Sequence, residues 1–337
     1  MCTNISIPRK STDDPLVSAR TMDWFMVDPA FVNFVPRGQS FPEANLPGEI
    51  HWRNKYAFIG AGFKLEGFPM SYSDGLNEAG LSAAGLWLSC SEYPSSGSDK
   101  PVLYNSLFVP YVLGNFRDIH QAEAALLKLT VPNISELYPD AYSLLHYIIS
   151  DVSGHHLIVE FLNGEMHVYH SNEGMLTNQP AYDWHLTNNG FYGELSLKDN
   201  TNIVCGEEVT GSGQLGIPGD PSPQSRFIRA AFLQQTAFHP KSTQEAVGLA
   251  RQILQTLSVP IGTVILQSPP QIAGFFDWTQ WSVIRDHTNL VYYFYSDYNS
   301  KLYGIHLKAL NLNASKQKSV AIVQPHWYKD ITHRFES

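Results

Sequence analysis

A cysteine stands at position 2, ahead of the alternating, β-branched run Thr3-Asn4-Ile5-Ser6-Ile7. Initiator methionine is commonly removed when the next side chain is small. Cys2 would then carry a thiol and a free α-amine on one residue, a nucleophile with its own base beside it. Near neutral pH an α-amine can accept the thiol proton, so the pair suffices for nucleophilic catalysis. Neither Cys90 nor Cys205 has that option. They read as structural or incidental thiols.

A second group of reactive side chains follows a short way on, in Ala19-Arg20-Thr21-Met22-Asp23-Trp24-Phe25-Met26. Arg20 and Asp23 taken alone would read as solvated charges. Here they ride on a largely apolar strand that runs into Trp24, Phe25 and Met26, a poor choice for a surface turn unless those side chains line something. Other motifs carry less. Gly211-Ser212-Gly213-Gln214-Leu215-Gly216 spells a dinucleotide fingerprint. No clear apolar strand precedes it and Pro218-Gly219 follows where a helix should start, so it reads as a loop. His155 and His156 face opposite ways on a strand and cannot easily share a metal. No HExxH pattern or matched cysteine pair is present, and no metal or cofactor is expected.

The elements that must position these residues follow from composition and pattern. The chain has 337 residues, 43% hydrophobic and 16% charged, with a formal net charge of −9. That suits a well-buried globular enzyme and excludes a disordered chain. The acidic balance, without a basic run, argues against nucleic acid and acidic membrane surfaces as partners. No stretch is apolar enough to span a bilayer, and three cysteines do not make a disulfide scaffold. The location expected is cytoplasmic if the chain starts at Met1, and periplasmic if a leader once preceded Cys2.

Thr3 to Pro8 and Leu16 to Asp23 read as an N-terminal hairpin that anchors the terminus. Residues 27–55 are rich in proline and read as loop. Tyr56 to Phe63 is an apolar strand, and the small residues of 82–85 allow a backbone or ligand to come close. Leu103 to Phe116 has a helical pattern that Pro110 should kink or split, and Asp118 caps a second helix. His146–Asp151, His156–Leu162 and Glu165–His170 read as strands, the last two joined by Asn163-Gly164, a strong hairpin signal. Ser225–His239 and Ser242–Leu257 read as helices, Ser242 and Glu245 forming a capping box for the second. Thr263–Gln267, Trp281–Arg285, Leu290–Tyr295 and Leu302–Leu307 read as closing strands. Hairpin-dominated strands alternating with helices predict an α+β fold: two mainly antiparallel sheets between helix layers, as one domain over residues 1–337.

Taken together, the blocks resemble the choloylglycine hydrolase family of N-terminal-nucleophile amidases, which contains bile salt hydrolases and penicillin V acylases. The resemblance rests on Met1-Cys2-Thr3, Arg20-Thr21-Met22-Asp23-Trp24, Asp74-Gly75-Leu76-Asn77-Glu78-Ala79-Gly80-Leu81, Leu176-Thr177-Asn178-Gln179-Pro180, and Gly216-Ile217-Pro218-Gly219-Asp220 running into Ser225-Arg226-Phe227-Ile228. Their order and separations are specific, and the resemblance covers nearly the whole chain. It implies the αββα sandwich and hydrolysis of a linear amide without a cofactor.

The resemblance also implies roles. Cys2 is the nucleophile, Arg20 the cation beside its sulfur, and Asp23 the partner of its α-amine. Asn178 supplies one donor of the oxyanion hole and the backbone N–H of Trp87 the other. Arg226 supports the charges of the site. Trp24, Phe25, Met26 and Trp87 would bind the acyl group. Many bile salt hydrolases have asparagine in place of Trp87; with Trp24, Trp87 resembles the Gram-negative branch. The expected substrate is therefore a small N-acyl amide of the penicillin V or N-acyl homoserine lactone kind. The alternatives are a conjugated bile salt, or a non-catalytic binding relative. A homo-oligomer, expected as a tetramer, completes what the resemblance implies.

Overall fold

A computed structural model of the chain describes residues 1–26, 29–42, 49–64, 70–97, 99–139, 143–199, 202–267 and 270–335. Two antiparallel sheets dominate. The five-stranded sheet runs in the order Cys2–Ile7, Val17–Trp24, Trp278–Asp286, Val291–Ser296 and Asn299–His306. The eight-stranded sheet runs Glu165–Ser171, His156–Leu162, Leu145–Ser150, Ser82–Trp87, Ser71–Asn77, Phe58–Phe63, Ala30–Val35 and Lys318–Ala321. All named pairings within both are antiparallel.

Five α-helices are described: α1 (Phe108–Asn115), α2 (Ile119–Leu126), α3 (Tyr182–Asn189), α4 (Pro223–Thr236) and α5 (Thr243–Leu257). α4 and α5 pack on the Cys2–Ile7 and Val17–Trp24 strands, whereas α1 packs on Ser71–Asn77 and Ser82–Trp87. One core joins Ile5, Val17, Ala19, Val283 and Tyr292 of the first sheet to Ile59, Leu76, Leu86 and Ile148 of the second, and to Phe227, Leu249 and Ile253 of the helices. A second core lies between the far face of the larger sheet and α1 and α2, around Phe108, Leu113, Tyr147 and Leu126. The layers are therefore helix, sheet, sheet, helix, the expected αββα sandwich.

Local chemistry explains most boundaries. Asp118 caps α2 by accepting from Gln121 N–H, and Ser242 with Glu245 forms the full capping box of α5. Asn163 and Gly164 both take positive φ (53° and 75°), as a two-residue hairpin turn requires. Three expectations change. Pro110 does not kink a long helix: it lies in the first turn of α1, where its missing N–H has no helical acceptor anyway, and a 3-10 turn over Asn105–Leu107 precedes it. The proline-rich 27–55 stretch contains the strand Ala30–Val35, flanked but not interrupted by Pro29 and Pro36. Thr263–Gln267 is no strand; Ile265 makes only an isolated bridge to Phe276.

Candidate active site

The site begins with strand register. Cys2 pairs with Met22 and Asn4 with Arg20 across the N-terminal hairpin. Directly opposed and diagonal side chains of an antiparallel pair share a face. Cys2, Met22 and Arg20 therefore project together, toward the second sheet. Arg20 Nη2 is 3.0 Å from Cys2 Sγ, and Met22 Sδ is 3.7 Å from it. The rest of the guanidinium is fixed: Nη1 donates to the carbonyls of Ser73 (2.7 Å) and Gly85 (3.0 Å), and the group lies 5.6 Å from the centre of the Trp281 ring. The small residues around Gly85 admit this approach. A guanidinium held against a sulfur stabilises negative charge there.

Thr3 and Asp23 project to the opposite face, toward α4. Asp23 is fully buried; Oδ1 accepts from Thr279 Oγ1 at 2.6 Å, and Oδ2 lies 4.0 Å from Arg226 and takes no hydrogen bond from the described residues. Burial pushes its carboxyl pKa up, and the Arg226 charge opposes that rise. Arg226 Nη1 donates to the Cys2 carbonyl at 2.6 Å and to Thr3 Oγ1, Nη2 to Asn178 Oδ1 at 2.6 Å, and Nε to the Pro221 carbonyl at 2.9 Å. Burial lowers its pKa from a very high value, and an arginine remains charged.

Asn178 arrives by a second pairing. Asn4 and Leu176 exchange backbone hydrogen bonds (2.7 and 3.1 Å) along the outer edge of the Cys2–Ile7 strand. Antiparallel counting from that bridge puts Asn178 level with Cys2. Its Oδ1 accepts from the Cys2 N–H at 2.8 Å as well as from Arg226, and its Nδ2 donates to the Trp87 carbonyl at 2.7 Å. Two donors on one side and a carbonyl on the other settle which way the amide points, and its second N–H is available for an oxyanion. Leu88 N–H bonds to Leu144, so the preceding Trp87 amide turns to the other side of its strand, the side of Asn178.

The structure thus brings Cys2, Arg20, Asp23, Asn178, Arg226 and the Trp87 backbone together. One expected contact differs. With Met1 attached, the Cys2 nitrogen is a peptide N–H bonded to Asn178, not an amine on the Asp23 carboxylate. The Met1 terminus bonds to the Asp23 carbonyl (2.9 Å) and to Asp277 (3.2 Å) instead. Trp24 and Trp87 lie together, ring centroids 5.4 Å apart at 53°, with Phe25 4.7 Å from Trp24 and Phe275 6.1 Å beyond Phe25. Met26, also expected to line the acyl site, is exposed. Thr3, Thr279 and Met22 contact the site although sequence reasoning passed over them. Their only signal was position: Thr3 follows Cys2, Met22 lies two residues from Arg20, and Thr279 stands just ahead of the expected Trp281–Arg285 strand. Among the described residues, no group of three His, Cys, Asp or Glu side chains could hold a metal, and no helix is long and apolar enough to cross a membrane.

A thiol against a fixed guanidinium, an oriented amide donor and an αββα sandwich define a nucleophilic amidase of the N-terminal-nucleophile type. Residues 2–320 match the model of the linear amide C–N hydrolases, choloylglycine hydrolase family, and the chain belongs to that family. It is an enzyme of linear amide C–N bonds. It is 30% identical to the bile salt hydrolase/transferase of Clostridium perfringens, over 95% of this chain and 96% of the relative. Identity is 28% to the penicillin V acylase of Pectobacterium atrosepticum, over 92% and 82%. A solved variant of the conjugated bile acid hydrolase from Clostridium perfringens superposes with a TM-score of 0.81 at 26% identity, covering 95% of this chain and 97% of that one.

Proposed function

We propose that residues 1–337 form one catalytic domain that, once Met1 is removed, hydrolyses the amide of conjugated bile salts. The observation that carries the reading is the contact of Cys2 Sγ with Arg20 and of Cys2 N with Asn178. The thiolate attacks the amide carbon, and its own α-amine takes the thiol proton and delivers it to the leaving nitrogen. Asn178 Nδ2 and the Trp87 N–H receive the oxyanion; losing one such donor costs about 10²–10³ in rate. Arg226 holds the Cys2 carbonyl and Asn178 in place. The acyl-enzyme thioester is then hydrolysed by water, freeing the bile acid. Bile salts stand first because the bile salt hydrolase relative matches at the higher identity and coverage. A second reading, penicillin V or N-acyl homoserine lactones, is favoured by the Trp24–Trp87 pair, two apolar rings inclined to one another that suit a phenoxyacetyl or alkyl chain.

The test is a three-substrate panel of glycocholate, penicillin V and an N-acyl homoserine lactone, run with wild type and Cys2→Ser. Wild type should turn over at least one amide and Cys2→Ser nearly none, because a hydroxyl is a far weaker nucleophile beside an amine. A serine variant at the wild-type rate would sink the thiol mechanism. The same reading includes a homotetramer. Supporting it, Phe191 (81%), Ile203 (71%) and Leu215 (78%), in the stretch from Phe191 to Gly216, are exposed apolar side chains that a neighbouring chain could cover. Light scattering should give about four times 37.8 kDa, and a monomer mass at micromolar concentration refutes the tetramer.

A further inference from the structure

We infer that His185, backed by the buried Glu160–His146 pair, is a positioning residue that fixes Asn178 at the height an oxyanion donor needs. The inference rests on the hydrolase reading of Cys2 and Asn178 given above.

Asn178 lies two residues past its last backbone bridge, at Leu176, so no sheet ladder holds its main chain. Buried carbonyls in such a segment need donors from elsewhere. Two histidines supply them in succession. His146 Nε2 is 3.1 Å from the Thr177 carbonyl, and His185 Nε2 is 2.9 Å from the Asn178 carbonyl. A carbonyl only accepts, so both Nε2 atoms carry hydrogen. On His185 the other nitrogen, Nδ1, is buried and has no partner among the described residues. That is the pattern of a neutral ring whose bare nitrogen faces the core. Burial lowers the His185 pKa below its usual value, which keeps it so.

The histidines are themselves held. His146 Nδ1 lies 2.8 Å from Glu160 Oε1, and both carboxylate oxygens of Glu160 accept from the Tyr182 N–H in the first turn of α3 (3.2 and 3.1 Å). Glu160 therefore ties His146 to the helix that carries His185. The His185 ring stacks on Phe227, centroids 4.8 Å apart at 13°. Phe227 follows Arg226 on α4, so the ring also bears on the helix that orients the Asn178 side chain. Neither histidine reaches the sulfur. Both act through the main chain of 177–178, where small displacements matter: about 1 Å of misplacement can cost on the order of 10²-fold in rate.

The experiment exchanges the two things the His185 ring does. His185→Phe keeps a ring to stack on Phe227 and removes the donor to Asn178. His185→Gln removes the ring and keeps an amide N–H within reach of the carbonyl. Each is assayed on whichever panel amide the wild type hydrolyses, with the rate of Cys2 alkylation by iodoacetamide measured alongside. Positioning predicts that His185→Phe loses roughly tenfold or more in kcat with KM within about twofold, that alkylation is unchanged, and that His185→Gln recovers most of kcat. A packing role predicts the reverse order, with His185→Phe active and His185→Gln impaired, and overturns the inference. So does a shift in KM alone, or a His185→Phe chain that has lost its fold. A wild type that hydrolyses no amide fails the hydrolase reading and this inference with it; an active wild type with an unaffected His185→Phe fails the inference alone.

Discussion

Trp87 makes two contacts at the site, through different atoms. Its backbone carbonyl holds Asn178 Nδ2, and its indole meets Trp24 at 5.4 Å. A side-chain truncation therefore separates the two contributions. Trp87→Ala leaves the backbone to Asn178 and removes one aromatic wall. Deleting a large apolar contact in a packed site costs on the order of 3 kcal/mol, about 10²-fold. If the proposed acyl site is right, the loss should appear in kcat/KM and grow with acyl size, because a short acyl group would touch little of the Trp87 indole. The measurement is kcat/KM for wild type and Trp87→Ala across an acyl-length series plus glycocholate. A uniform loss on every substrate would mean that Trp87 acts only through the oxyanion backbone, and the acyl-wall assignment falls.

At the scale of elements, what was legible in the sequence is what local chemistry decides. Asp118, the Ser242–Glu245 box and Asn163-Gly164 each satisfy their own neighbours' backbone groups, so they mark helix starts and a hairpin wherever the fold puts them. The N-terminal hairpin also came from alternation alone, and its register then dictates that Cys2, Met22 and Arg20 share a face. Ala30–Val35 was obscured because Pro29 and Pro36 colour the whole stretch, though a proline outside a strand removes none of its ladder bonds. Thr263–Gln267 has strand residues but finds no extended partner. The site divides the same way. Asn178 and Arg226 reach Cys2 only through the Asn4–Leu176 bridge and the packing of α4, contacts across more than half the chain. Resemblance to a family could place them; spacing could not. His146, Glu160 and His185 carry no motif, since a buried histidine that grips a carbonyl looks in sequence like any core polar residue.

The whole molecule is closed by buried polar ties between its sheets, and these make its stability depend on pH. His287 links the two: Nε2 lies 2.7 Å from Ser18 Oγ of the five-stranded sheet, and Nδ1 lies 2.8 Å from the Gly80 carbonyl at a turn of the other. Burial first, opposed by the Gly80 hydrogen bond and helped by the Arg285 charge, brings its pKa down from 6.5 to about 4. His156, with Nδ1 2.6 Å from Ser150 Oγ, is brought down to about 3 by burial and by the nearby His287. For both, the unfolded chain binds more protons than the folded one between the two values. Stability therefore rises with pH through that window, is fully present above about 6.5, and is lost as the pH falls toward about 4 and below. A shift of this size is worth roughly 3 kcal/mol at His287. Glu49 opposes part of it: burial raises its carboxyl to about 7 from 4.5, so the fold holds that proton longer and gains stability on acidification in the same range. Substitution separates the contributions. Urea unfolding of wild type at pH 7 and pH 4.5 should show a clear loss at the lower pH. Glu49→Gln should enlarge that loss, because it removes the opposing carboxyl. His287→Gln, which can still bond to the Gly80 carbonyl, should shrink it while lowering stability at pH 7. If His287→Gln loses as much between pH 7 and 4.5 as wild type does, the histidine is not what makes the fold acid-sensitive, and the tie between the sheets is held by its packing alone.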